Sequence, residues 1–313
     1  KVSYGPRIPQ APLTMPLTQH TLPVVECKSY FDWPHWDYRR VKGLGNVQLN
    51  DIVVFNFPAG DTVCSAPRYQ SYDYYQMCYG IGYQIYPNRP DPDSLTADQL
   101  RLYFNTIYEA GRQEILRNRG EYGEIITRPA DRRENYVKRC VGLPGQTLQI
   151  RNRIVYLDGK ANKEPENVQY TYHVKLKQAI PEELMEDLGI SMEDLTSLNT
   201  LGYMPLTKRA VTMLQARKDI VESVTLNTEA NDLEIYPLNG NKHWTRDNYG
   251  PVWIPKKGEK IRLTMDNIAV YERPIKVYEG NELEIRDGKI LINGQEARDY
   301  TFKMDYYWMM GDN

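Results

Sequence analysis

The 313-residue chain has no apolar run near the roughly 20 residues that a helix needs to cross a bilayer, so no membrane span is predicted within it. Its first residues, Lys1 to Pro9, also lack the charged-then-apolar order of a signal peptide. The four cysteines, Cys27, Cys64, Cys78 and Cys140, contain no C-x-x-C pair, which argues against a thiolate metal site or a thioredoxin-type motif. Compartment stays open on that count, because a Cys64–Cys78 bridge in an oxidising space and unpaired buried thiols fit the spacing equally well. The four histidines, His20, His35, His173 and His243, are dispersed without ligand spacing, and neither a metal nor an organic cofactor is expected. Charge of one sign is missing too: 39 Lys and Arg stand against 41 Asp and Glu for a net charge of -2, with no dense basic tract. That balance gives no electrostatic reason to expect a nucleic-acid partner.

Tyrosine and proline are abundant instead, at 25 and 20 residues against only 5 phenylalanines. This composition suits a strand-and-loop protein with amphipathic aromatic faces, and 313 residues can bury a sizeable core.

Five prolines between Lys1 and Pro23 predict an extended arm. Asp51 to Pro58 is β-branched and aromatic and ends on proline, which predicts a strand whose near-continuous apolar run belongs in a core. Residues 61–124 read as a tyrosine-rich loop, a proline turn from Pro87 to Pro92, and a helix that starts after Thr96. Thr96 and Gln99 form a capping box there, and Leu100, Phe104, Ile107, Gly111 and Ile115 share one helical face. Strand character returns from Asn135 to Val141, turns at Pro144-Gly145 with type II chemistry, and resumes from Thr147 to Leu157.

Residues 161–250 are mixed, with short helices predicted at Pro181–Leu188, at Met192–Leu198 behind a Ser191 cap, and at Lys208–Arg217. Strands are predicted at Ile268–Tyr271, Glu282–Arg286, Lys289–Ile292 and Tyr306–Met310, with Asp287-Gly288 as a hairpin turn. Leu148 to Gly159 echoes Leu283 to Gly294, which shared hairpin chemistry explains about as well as duplication.

Chemistry concentrates in Tyr136 to Gly145. Strand alternation sets Tyr136, Lys138 and Cys140 on one face and Val137, Arg139 and Val141 on the other. An ammonium held between Tyr136 and Cys140 would be disfavoured by desolvation, leaving an amine able to take a proton near neutrality; most strand lysines, however, simply reach for water.

The segment Lys138-Arg139-Cys140-Val141-Gly142-Leu143-Pro144-Gly145 resembles the K-R-x-x-G-x-P-G lysine box of bacterial type I signal peptidases. Asp51 to Pro58 is similar to the G-D-I-V-V-F-x-x-P strand that precedes that box, and Gly311-Asp312-Asn313 to the start of the G-D-N box that follows it. Tyr4 to Pro9, Asp247 to Pro255 and Tyr300 to Tyr307 resemble the Bacteroidetes branch of the family. Asn50 replaces a frequent glycine and Gln146 a frequent aspartate, both at turns.

The resemblance implies a serine endopeptidase that removes signal peptides from secreted preproteins with a Ser/Lys dyad. Lys138 would be its general base, and the nucleophilic serine would lie in an S-M-x-P-T box upstream of Lys1. Thr14-Met15-Pro16-Leu17 imitates that box without its spacing, and Ser3, Ser29, Ser65 and Ser71 have no supporting motif. Tyr136 and Val137 would line small pockets for an A-x-A signal, and Arg139 would pair with Asp312 beside Gly311 as structural support. The implied fold is mainly β, a signal-peptidase/LexA-like β-barrel-type catalytic core from residues 1–60, 125–160 and 251–313. A tyrosine-rich helical insertion at 61–124 and a second module at 161–250 would interrupt it.

The implied setting is the inner (cytoplasmic) membrane, with the catalytic domain on the periplasmic side and an anchor outside this chain; the chain alone would be inactive. Two alternatives remain at this point. One is a non-catalytic peptide-binding homologue of the same fold; the other is a self-cleaving repressor of the LexA type, disfavoured by the absence of a DNA-binding helical domain.

Overall fold

A computed structural model describes residues 45–228, 235–240 and 244–312. The arm from Tyr4 to Pro9, Thr14–Leu17, Cys27, His20, His35, His243 and Asn313 lie outside the described residues.

Asn50 adopts φ 72°, a left-handed conformation that glycine and asparagine tolerate best, and turns the chain into β1 (Ile52–Asn56). After a short turn come β2 (Thr62–Cys64) and α1 (Tyr74–Ile85), which Asp73 caps by accepting from the Tyr75 and Gln76 N–H groups at 2.8 and 3.2 Å. The helix α2 (Ala97–Arg117) starts on the reciprocal Thr96/Gln99 capping box and buries Leu100, Phe104, Ile107, Gly111 and Ile115. Glycine permits α1 and α2 to touch backbone to backbone. A Cβ on Gly111 would lie 1.9 Å from the Cys78 carbonyl oxygen, and one on Gly82 would lie 2.0 Å from that of Ile107. The short α3 (Arg119–Tyr122) leads to β3 (Ile125–Thr127), which pairs antiparallel with β2 and closes the excursion.

Strand β4 (Asn135–Gly142) then lies antiparallel to β1, with Lys138 opposite Val53. It ends in a turn where Gly145 takes φ 88° and Gln146 N–H donates to Leu143 O at 3.1 Å, the type II geometry read from Pro144-Gly145. Gln146 also accepts from Leu143 N–H at 2.9 Å through its side-chain oxygen. A three-stranded meander follows: β5 (Thr147–Arg151), β6 (Ile154–Leu157) and β7 (Lys160–Ala161).

Next in order are β8 (Gln169–Leu176), α4 (Glu182–Leu188), α5 (Met192–Leu201), β9 (Tyr203–Thr207), α6 (Lys208–Ala216) and β10 (Val221–Leu226). These build an antiparallel sheet in the order β10-β8-β9 around a core of its own, with Val174, Met204, Leu206, Leu214 and Ile220 buried. The helices fall where their caps place them, α4 behind Pro181, α5 behind Ser191 and α6 behind Thr207.

Strand β11 (Tyr249–Trp253) pairs with β5, and β12 (Lys260–Arg262) pairs with a later strand, β16. Between them in sequence stand α7 (Ile268–Arg273) and a second meander of β13 (Leu283–Arg286), β14 (Lys289–Ile292) and β15 (Gln295–Glu296). The described chain finishes with β16 (Asp299–Thr301) and β17 (Trp308–Met310), the latter on the far side of β4 from β1.

Several expectations change. The described residues are roughly 33% helix and 28% strand, so the fold is mixed rather than mainly β, with strands in separate small antiparallel sheets. Ile268–Tyr271 is helix, not strand: Asn267 and Thr264 exchange side-chain and main-chain bonds at its start, and Ile268, Tyr271 and Ile275 bury at i, i+3 and i+7. Residues 74–85, read as loop, form α1 because packing against α2 outweighs the modest helix preference of tyrosine and glycine. Strand β1 is not sunk in a core, since Val53 is buried while Ile52 and Val54 are 63% and 58% exposed. No helix among the described residues is long and apolar enough to cross a membrane.

The two meanders agree bond for bond at a spacing of 135 positions. Thr147 N–H donates to the Asp158 side chain at 2.8 Å as Glu282 N–H does to Asn293 at 2.9 Å. Asn162 N–H meets Val155 O at 2.7 Å as Ala297 N–H meets Ile290 O at 2.9 Å. Asp158, Gly159, Asn293 and Gly294 all have positive φ. The likeness stops upstream of Gly145 and Gly280, where one copy is strand β4 and the other is helix α7. The echo is thus confined to the meanders and does not extend to strand β4.

Replacing Gly111 with alanine would force α1 and α2 apart against backbone atoms that cannot yield. The expected cost is about 3 kcal/mol in urea unfolding, whereas Gly120→Ala, with open space around it, should leave stability nearly unchanged.

Candidate functional site

The strand β4 carries two adjacent basic residues to opposite faces of one sheet. On one face Tyr136, Lys138 and Cys140 neighbour Val53 and Phe55 of β1, and Cys140 is fully buried. Tyr136 stacks on Phe57, with ring centroids 4.4 Å apart and planes within 12°, and burial pushes its phenol up from the ordinary tyrosine value. Lys138 is half-buried beside it, its Nζ 5.8 Å from the centre of the Tyr136 ring. Among the described residues this ammonium has no hydrogen-bond or ion-pair partner. Lys208, Lys256 and Lys289, by contrast, all have carboxylate partners.

On the other face Arg139 is saturated. Its Nε and Nη2 donate to the two Asp312 carboxylate oxygens at 2.8 and 2.5 Å, and its Nη1 donates to Asn50 O at 3.0 Å. These bonds hold the Asp312 carboxyl below the usual carboxylate range. Val137 shares this face and is 58% exposed, next to the exposed Ile52 and Val54 of β1.

The register also locates Gly311. Met310 lies opposite Arg139 in β17, so the following residue, Gly311, reaches the level of Lys138. The strand carrying the lysine is thus central, not an edge. Because Cys140 directs its N–H and C=O toward β1, alternation turns those of Val137 to the other side. Paired β17 ends at Met310, and among the described residues no strand runs beside Val137 there.

Behind Arg139, toward β8, lies a cavity of about 850 Å³ lined in part by Gln169, Tyr170, Tyr249, Trp308 and Asp312. Cys64, Cys78 and Cys140 are free thiols and all buried, and burial raises the Cys78 thiol to about 12. The structure brings Lys138, Tyr136, Val137, Arg139, Gly311 and Asp312 into one region. Sequence reasoning did not single out Ile52, Val54 or Gln169 for it; only the alternation of β1 hinted at the first two.

The Arg139–Asp312 pair sets an acid limit. The pair's contribution should be complete above the ordinary aspartate value and fall away as pH drops through the depressed value in the folded protein. Asp312→Asn should therefore unfold at a lower temperature than the parent at neutral pH. The gap should close on acidification below about pH 4, as checked by thermal melts across pH.

A family model described as "Signal peptidase, peptidase S26" matches residues 24–195, more than half of the chain. Signal peptidase IB of Staphylococcus aureus (strain Mu50) is 34% identical over 58 residues, 18% of this chain and 29% of the relative. Signal peptidase I of Bacillus caldolyticus is 45% identical over 42 residues, 13% of this chain and 23% of the relative. The matched stretch is thus less than a third of the length of either relative. No solved structure matches.

Proposed function

The chain belongs to the signal peptidase family, peptidase S26, and from that membership we propose that its parent protein removes signal peptides from preproteins with a serine nucleophile and Lys138 as general base. The observation that supports this most is the half-buried Lys138 amine, without a partner among the described residues, in the K-R-x-x-G-x-P-G segment level with Gly311.

In this reading the serine comes from outside the described residues. Neutral Lys138 takes the hydroxyl proton as the serine oxygen attacks the scissile carbonyl, and the resulting ammonium protonates the departing amine. Water then attacks the acyl-enzyme with its proton passing to the same amine, and the carboxylic acid product leaves the serine restored.

The substrate would lie extended along the side of β4 that β1 leaves open, where the Val137 main chain can pair with it. An extended peptide sends alternate side chains to opposite faces, and Tyr136 and Val137 are on opposite faces of β4. They would therefore meet neighbouring substrate positions, with Ile52 and Val54 widening the Val137 side into an apolar wall. The two small residues of an A-x-A pattern lie two positions apart and face one side of β4, where a wall of this kind admits small side chains and excludes large ones. The barrel-type core, the anchor in the inner membrane and the periplasmic placement of the site belong to this same proposal.

The deciding experiment uses the full-length protein and a peptide with an A-x-A cleavage site. Lys138→Ala should lower turnover by about a thousandfold or more while leaving the fold intact. Unchanged turnover would remove Lys138 from the mechanism, and no turnover in either protein would favour the peptide-binding homologue.

A further inference from the structure

Asp312 is held from two directions. Arg139 takes its carboxylate, and its main-chain oxygen accepts a hydrogen bond from the N–H of Gln169 at 2.6 Å. Gln169 is the first residue of β8, the middle strand of the β10-β8-β9 sheet. That sheet has its own buried core, so the bond joins a separately packed body to the Gly311–Asp312 segment.

The root of the body is itself braced. Tyr170, the next residue, donates its hydroxyl to Glu164, and Glu164 is also paired with Lys208 at the start of α6. The Arg153 guanidinium lies 5.4 Å from the centre of the Tyr170 ring.

Among the described residues little else steadies Gly311 and Asp312. Strand β17 pairs with β4 only from Trp308 to Met310, with a register shift between Trp308 and Met309. The cavity of about 850 Å³ lies against Arg139, Gln169 and Asp312, so the segment lacks close packing on that side. Arg139 fixes one end of the Asp312 side chain, while the Gln169 N–H fixes its main chain.

We propose that the β8–β10 body, through the main-chain N–H of Gln169, sets the position of Gly311–Asp312 against Lys138. Gln169 is then a positioning residue for cleavage that touches no substrate. The inference rests on Lys138 being the general base and adds a role for the body that interrupts the two halves of the site. It also makes the cavity beside that bond a place from which the alignment could be altered.

Proline removes the N–H that alanine keeps, and it is tolerated at the first residue of a strand. In the full-length protein, Gln169→Ala should cleave an A-x-A peptide within about twofold of the parent, and Gln169→Pro should lose about tenfold in kcat with KM unchanged. Equal kcat for the two variants, both folded by circular dichroism, would overturn the proposal. Should Gln169→Pro fail to fold, amide hydrogen exchange decides. Arg139→Ala should speed exchange at Gln169 by about tenfold and leave Val174, inside the sheet, unaffected; unchanged exchange at Gln169 would overturn the proposal. Lys138→Ala run alongside separates the two claims. If it remains active, the base assignment fails; if it is inactive while Gln169→Pro cleaves normally, only the positioning role fails.

Discussion

The two-pronged bond between Arg139 and Asp312 is what the rest of the site depends on. A planar guanidinium meets both carboxylate oxygens and still has a nitrogen for Asn50 O, so one side chain joins the turn before β1, the middle of β4 and the segment after β17. The side chains are 16% and 33% exposed, enough shielding that losing one partner would leave a poorly solvated charge behind. Strand periodicity then gives the neighbouring lysine the opposite fate. Arg139 meets its carboxylate on its own face, and among the described residues none pairs with Lys138 one residue earlier. A cation engaged through all three nitrogens and one with no partner among the described residues, at adjacent positions, are two results of a single two-residue repeat.

Features decided within a few residues were legible in the sequence. The Thr96/Gln99 box, the Ser191 cap, the Pro144-Gly145 turn and the Asp287-Gly288 hairpin all stand where their chemistry placed them. Even the two departures at turns have local reasons. Asn50 holds a positive φ that glycine would otherwise supply, and the Gln146 side chain accepts the Leu143 N–H across the turn. Features that need distant partners were not legible. Helix α1 exists because Gly82 and Gly111 let α2 approach it, and no window around residues 74–85 contains that fact. Ile268 to Tyr271 misled because isoleucine, valine and tyrosine favour strands, while the Thr264/Asn267 start and burial of Ile275 a turn later settled the matter. The site divides the same way: alternation along β4 showed which residues share a face, but the bond from Gln169 to Asp312 crosses 143 positions and leaves no local trace.

The matching meanders sharpen that contrast. Both send alternate aliphatic side chains into one core, Leu148, Ile150 and Leu157 from the first and Leu283 and Ile290 from the second. Both close on an Asp or Asn that accepts a main-chain N–H from the start of the meander, Thr147 in one and Glu282 in the other. What precedes each differs entirely. Arg273 stands 135 positions after Lys138, yet it lies on α7, bonded to Asp61 and Tyr278, with its guanidinium 4.1 Å from the Tyr75 ring centre. With Arg101, which meets Glu272 through two nitrogens, it fastens the α1–α2 hairpin to the core. The position matching the lysine is thus given to docking, and a basic residue ahead of such a meander is not by itself a sign of catalysis.

What separates Lys138 from Arg273 is the company each keeps. Arg273 has a carboxylate, a phenol and an aromatic face, so its charge is fully used within the fold. Among the described residues Lys138 has an aromatic ring and no counter-ion, and one residue away the Val137 main chain has no strand beside it on the side away from β1. Sheets normally cover or blunt such an opening, and half-buried amines normally find an acid. Among the described residues both stay unsatisfied at one place, and a single kind of ligand would relieve both. Under the function proposed above, an extended peptide would supply main-chain partners for Val137, and the serine that attacks its scissile carbonyl would supply the proton that Lys138 takes.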